Sequence, residues 1–118
     1  MKRDIDFLRD ILLQIENAPA GKSIDDSDIA GSEYDPDIIR YHIKLLYNAE
    51  LIEGHEIPMA GSALPGYVIS SLSSDGFDFL DAIREKTTWE KIKSKACAAG
   101  SLSLKAVIAA ADIKDLLR

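Results

Sequence analysis

The chain has 118 residues, 47% hydrophobic and 29% charged, with a formal net charge of −6. That composition suits one soluble globular domain. It holds no apolar run near the ~20 residues of a membrane span, and its charged start, MKRDIDFLRD, lacks the apolar stretch of a leader peptide. The single cysteine, Cys97, excludes an internal disulfide and points to a reducing, cytoplasmic compartment.

Residues 3–16 carry Ile5, Leu8, Leu12 and Ile15 at helical spacing, widened by Phe7 and Ile11. Pro19 and Gly21 stop that helix, and KSID after it suits a short strand. The stretch 25–34, DDSDIAGSEY, is rich in turn and cap residues and predicts no more than a single helical turn. A second helix then starts with every expected signal. Asp35 is the cap, Pro36 takes the first helical position, and Asp37 sits at the positive end of the dipole. Its apolar face is Ile39, Ile43, Leu46 and Ala49.

Residues 51–57 and 66–72 read as two strands of a loose hairpin joined by PMAGSALP. A helix over about 74–85 follows, with Ser73 as cap and Phe77, Leu80, Ala82 and Ile83 as candidates for its buried face. Thr87 and Glu90 make a capping box before WEKIKSKACAA, and Gly100 ends that helix. A last helix spans about 103–117, with Leu104, Val107, Ile108 and Ala111 on one face.

This order predicts a mostly helical α+β fold. Residues 1–86 form a winged-helix-like domain of helix, short strand, helix, β-hairpin wing and helix. Residues 87–118 form a helical extension that either dimerises or packs on the core. In winged helix-turn-helix proteins one helix enters the major groove and the hairpin touches the flanking backbone.

The run YHIKLLYNAELIEG resembles the close of the recognition helix in winged-helix regulators. The whole chain resembles an uncharacterised family of small bacterial and prophage proteins. Members open Met-Lys-Arg-Asp, as MKRDIDFLRDILLQIE does, and carry segments like YHIKLL, LIEG, GYVI, GFDFLDAIRE and TTWEKIK. The resemblance implies a bacterial or phage origin and a transcriptional role. Three places depart from the regulator pattern. Glu50 replaces the usual helix-ending glycine, which predicts a different ending. DDSDIAG barely allows the first helix of a helix-turn-helix. No Lys or Arg stands between Leu51 and Leu72, where His55 is flanked by Glu53 and Glu56.

The leading expectation is a DNA-binding, transcription-regulator-like protein. With Ile39, Ile43 and Leu46 inward, the opposite face offers Asp37, Arg40, Tyr41, Lys44, Tyr47 and Asn48. Arg40 and Asn48 are candidates for base edges, Tyr41 and Lys44 for phosphates. Lys2, Arg3 and Arg9 would extend the footprint. The rival is a protein-interaction or inhibitor module that offers an acidic surface to a basic protein partner. Residues 1–83 hold 6 Lys and Arg against 16 Asp and Glu, a balance of −10, while residues 84–118 hold 8 against 4, a balance of +4. DDSDIAGSEYDPD, with Asp75, Asp78 and Asp81, is the candidate acidic face.

The basic segment with Lys91, Lys93, Lys95 and Lys105 is either a phosphate patch or a dock for the acidic half of another copy. Val107 to Ala111, apolar nearly all round, favours a homodimer contact over a closing helix packed on its own domain. No enzyme is expected, and no cofactor or metal. Cys97 reads as a small buried side chain without a partnered base. His42 reads as a packed or half-exposed helix histidine, and His55 lacks a second ligand. Asp26 to Asp37 fails as a calcium loop, with Ala30 at the fifth position and Asp37 at the twelfth.

Overall fold

Asp4 opens the first helix. Its carboxylate accepts from the backbone N–H groups of Asp6 and Phe7, at 3.0 and 3.2 Å. The helix, α1 (Ile5–Asn17), buries Ile5, Phe7, Leu8, Ile11, Leu12 and Ile15. In this computed structural model residues 3–31, 33–98 and 103–116 are described, with 112–116 described for their backbone only. Lys2 and Gly100 lie outside the described residues.

After α1 come β1 (Ile24–Asp25) and a single 3-10 turn, Asp26–Asp28. The turn stands where a regulator would place its first helix-turn-helix helix. The second helix, α2 (Pro36–Asn48), starts as its sequence dictates. Asp35 accepts from the Ile38 N–H at 3.1 Å, and Pro36 fills the first turn. β2 (Ile52–Ile57) and β3 (Gly66–Leu72) form the wing. The sheet is antiparallel in the order β1-β3-β2, so β2 is an edge strand. A bulge at Glu53/Gly54 breaks the β2–β3 register. Gly54 sits there because a Cβ would stand 2.1 Å from the Val68 carbonyl oxygen.

Glu50 does not end α2 differently from a glycine. Its φ is 61°, in the left-handed region. The Leu51 N–H reaches the Leu46 carbonyl at 3.1 Å, and the Glu50 N–H reaches that of Tyr47 at 3.0 Å. That pair of bonds is a Schellman ending, with glutamate where glycine is usual.

Three helices follow: α3 (Ser74–Ile83), α4 (Lys86–Ala98) and α5 (Leu104–Leu116). Ser73 caps α3 by accepting from the Gly76 N–H at 2.9 Å. The inward residues of α3 are Gly76, Phe79, Leu80, Ala82 and Ile83, while Phe77 is 43% exposed, against the expectation. The α3 cap fixes this rotation, since the helix start is pinned where Gly76 touches Leu51. The predicted capping box does not form. α4 begins at Lys86, one residue before Thr87, and the Trp89 N–H bonds the Glu85 carbonyl at 2.9 Å.

One hydrophobic core runs through the whole fold. It joins Leu8, Ile11 and Leu12 of α1, Ile43 and Leu46 of α2, Tyr67 and Ile69 of β3, Leu80 and Ile83 of α3, Trp89 and Ile92 of α4, and Val107 of α5. The C-terminal helices therefore pack on their own chain. Ion pairs tie the two charge halves together as well. Arg84 holds Glu16 with two nitrogens at 2.6 Å each, and Lys93 reaches Asp6 at 2.7 Å.

Candidate functional site

Turning α2 at 100° per residue puts Ile39, His42, Ile43 and Leu46 on the core side, where all four are buried. Asp37, Tyr41, Lys44 and Asn48 then form the outward stripe. Asp37 and Asn48 are exposed, Tyr41 and Lys44 half-buried. Three of the four residues named as DNA contacts thus share one face.

Arg40 does not join them. It lies on the flank facing the 3-10 turn, with its side chain only 15% exposed. Its Nε donates to Asp26 at 3.0 Å, and its Nη1 lies 3.4 Å from Asp37. The other Asp26 oxygen accepts from the Tyr67 N–H at 2.8 Å. Asp26, read as a failed calcium ligand, is thus a clamp between the turn, α2 and β3. Tyr47 shares this flank and packs on Tyr67, ring centroids 5.4 Å apart. Burial, and then the nearby Glu56 carboxylate, push the Tyr67 hydroxyl up to about 12.

The far end of α2 is acidic. Helix-turn-helix recognition helices address bases with their N-terminal residues. Here those positions carry Asp35 and Asp37, with Glu33 just before them. The wing shows Glu53, His55 and Glu56 to solvent.

His42 is fully buried, which corrects the half-exposed alternative. Its Nε2 accepts the Asp4 N–H at 2.8 Å, and its Nδ1 lies 2.8 Å from the Ile38 carbonyl. The ring therefore carries its proton on Nδ1 and donates it to Ile38. Phe7 and Tyr34 pack around it, with centroids at 5.1 and 5.9 Å. The Tyr34 hydroxyl donates to the second Asp4 oxygen, and that bond raises the phenol above its ordinary value. The aspartate of the Met-Lys-Arg-Asp opening is thus a structural hub.

Beside this hub lies an acidic cleft of about 440 Å³. It is lined by carboxylates of Asp4, Asp6, Asp10 and Glu33 over Phe7 and Tyr34. Burial alone would raise Asp6, but hydrogen bonds from Lys93 and Trp89 outweigh it and hold the carboxyl below its usual range. Asp6 therefore stays ionised. Asp6 and Asp10 at i and i+4 were the signal for this cleft in the sequence. Glu33 falls within DDSDIAGSEYDPD, the stretch named as the acidic face, but its loop has no periodicity to place it beside Asp6 and Asp10. Asp75, Asp78 and Asp81 are all exposed, on α3. Cys97 is exposed too, against expectation, and Ala96 takes the buried position beside it.

Fold and site together define a winged-helix-like α+β protein in which the arginine of α2 is paired with Asp26 and Asp37 and an acidic cleft lies beside Asp4. Residues 2–102 match the family described as "Hypothetical protein (DUF2513)", and the chain belongs to that family. It is 33% identical over 95 residues to an uncharacterized protein of Haemophilus influenzae (strain Rd), covering 80% of this chain and 77% of that one. No solved structure matches. Among the described residues no helix is long and apolar enough to cross a membrane.

Proposed function

We propose that the protein is a non-enzymatic interaction module that takes a basic protein segment on its acidic surface. The carrying observation is the contrast between the two candidate faces. The cleft sets Asp10 and Glu33 over an aromatic floor of Phe7 and Tyr34, beside Asp4 and Asp6 whose carboxylates already hold Tyr34, Trp89 and Lys93, and the exposed pair suits lysine or arginine side chains with their long apolar stems. The recognition helix, by comparison, has its arginine held by Asp26 and Asp37. DNA affinity comes largely from cations that displace counterions from phosphates, and α2 with its wing supplies few.

Duplex DNA is the second reading. It is favoured by Tyr41, Lys44 and Asn48 sharing the outward face of α2. One titration separates the two. A labelled lysine- and arginine-rich peptide and a labelled mixed-sequence duplex are each titrated with the protein at about 50 and 200 mM salt, where screening changes strongly. The interaction reading expects peptide binding that Asp10→Lys with Glu33→Lys weakens at least tenfold, and no duplex binding. Salt-sensitive duplex binding that Lys44→Ala weakens, with no peptide binding, would reverse the order of the two readings.

A further inference from the structure

The sheet stops at the wing. Among the described residues β2 pairs with β3 on one side and with no strand on the other, and Glu53 to Ile57 are all exposed. One hydrogen bond fixes which of its backbone groups face outward. Tyr67 of β3 gives its N–H to Asp26, on the β1 side. In an antiparallel ladder the N–H and C=O of one residue point the same way, and the direction alternates along the strand. Tyr67 therefore turns both groups away from β2, and Glu56 opposite it turns both away from β3. Gly54, opposite Ile69, has the same phase. On the inner side the Glu53 carbonyl accepts from the Ser70 hydroxyl at 3.1 Å, as that alternation requires. Gly54 and Glu56 thus present their N–H and C=O groups at an open edge. Pro58, which has no N–H, closes it.

Unpaired edge groups are a template for another strand. The side chains decide which one. Glu53 and Glu56 differ by an odd number of positions, so they project from opposite faces of β2. Residues 52–57 include no Lys or Arg. A second copy of β2 would bring the carboxylates of both chains to one seam, where like charges weaken pairing. A segment with cations opposite the two glutamates is favoured instead. The glutamates stand three positions apart, so the cations must as well, one on each face of the added strand. Gly54, between them, has no side chain to hold the incoming backbone away.

We infer that β2 takes an extended basic segment of a partner protein as an added strand, bonded to the backbone of Gly54 and Glu56, with its cations against Glu53 and Glu56. None of these residues lines the acidic cleft, so this edge and the cleft are separate surfaces.

The test uses the full chain and a peptide of about nine residues, threonine and valine with two lysines three positions apart. It is followed by NMR up to about 1 mM peptide, the range of weak contacts. Binding should saturate and slow amide exchange at Gly54 and Glu56 severalfold. Glu53→Lys with Glu56→Lys should weaken it at least tenfold, with unchanged far-ultraviolet circular dichroism. A peptide with glutamates in place of the lysines should then bind that variant. Methylating alternate backbone nitrogens of the peptide gives two phases. One should lose binding and the other keep it, because only one edge of an added strand faces β2. Absence of binding overturns the inference, as does equal binding of both methylated peptides. Binding lost in Asp10→Lys with Glu33→Lys and kept in the Glu53 and Glu56 variant overturns it too, and leaves the cleft reading standing.

Discussion

Glu50 and His42 show how single residues carry this fold. A left-handed backbone costs a residue with a Cβ about 1–2 kcal/mol, and glycine avoids that cost while losing some chain entropy. The Schellman bonds at Leu51 and Glu50 hold the glutamate there regardless. The Glu50→Gly substitution should therefore stabilise the protein by about 0.5–1 kcal/mol in urea unfolding. An unchanged or lowered midpoint would show that the glutamate side chain makes up for its own strain. His42 works in the other direction. It gives the Asp4 N–H its acceptor and the Ile38 carbonyl a second donor. His42→Leu keeps the bulk and removes both bonds, which should cost about 1–3 kcal/mol. Stability within a few tenths of the wild type would mean that water replaces the ring.

The junction between α2, the wing and α3 is where elements lock. Ser73 bonds both sides of the turn: its N–H to the Leu51 carbonyl at 3.0 Å, and its hydroxyl to the Glu50 carbonyl at 2.6 Å. Gly76 lets α3 lie on that turn, since a Cβ there would stand 1.9 Å from the Leu51 oxygen. A backbone oxygen cannot swing aside as a side chain can. Gly76→Ala should therefore cost more than the helix propensity it gains, by about 2 kcal/mol or more, and a Tm equal to the wild type would show that α3 can slide. The elements themselves were largely legible in the chain. Asp35-Pro36 and Ser73 announce their helices because caps act on neighbours only a few residues away, and the strict spacing of α1 leaves one possible phase. What escaped was set at a distance. Arg40 reads as a free cation until Asp26, 14 residues back, is folded against it. The phase of α4 was hard to read because its apolar residues are few and its last turns carry only small ones, Ala96, Cys97 and Ala98, so Ala96 and Cys97 were interchangeable on paper. Phe77 looked inward by type alone, and the contact at Gly76 decided otherwise.

Across the whole molecule the acidic first part and the basic C-terminal part are folded onto each other. Arg9 completes the arrangement, donating to the Ile83 and Arg84 carbonyls where α3 ends. Asp6 is the clearest tether, because one carboxylate oxygen takes both the Trp89 indole N–H and the Lys93 ammonium, each at 2.7 Å. Its carboxyl is lowered in the fold, so the unfolded chain binds that proton more readily. The stability it adds is fully present above the unfolded value of about 4 and disappears as pH falls through the folded value. Glu16, lowered mainly by its bond to Arg84, follows the same sign. Lys93 acts oppositely. Burial would lower it, but Asp6 and Glu90 raise it on balance, so its share is lost only as pH rises beyond the ordinary lysine range. Asp6 is mostly in water, and screening keeps the tether to about 1 kcal/mol or less. Asp6→Asn preserves an oxygen for Trp89 and removes the charge. It should lower Tm by a few degrees at pH 7, and the gap should close in acid, once pH has fallen through the lowered folded value and the wild-type carboxyl is protonated too. Melts at both pH values decide the point: a gap just as wide in acid would mean that α4 is held to α1 by packing of Trp89 and not by the charge of Asp6.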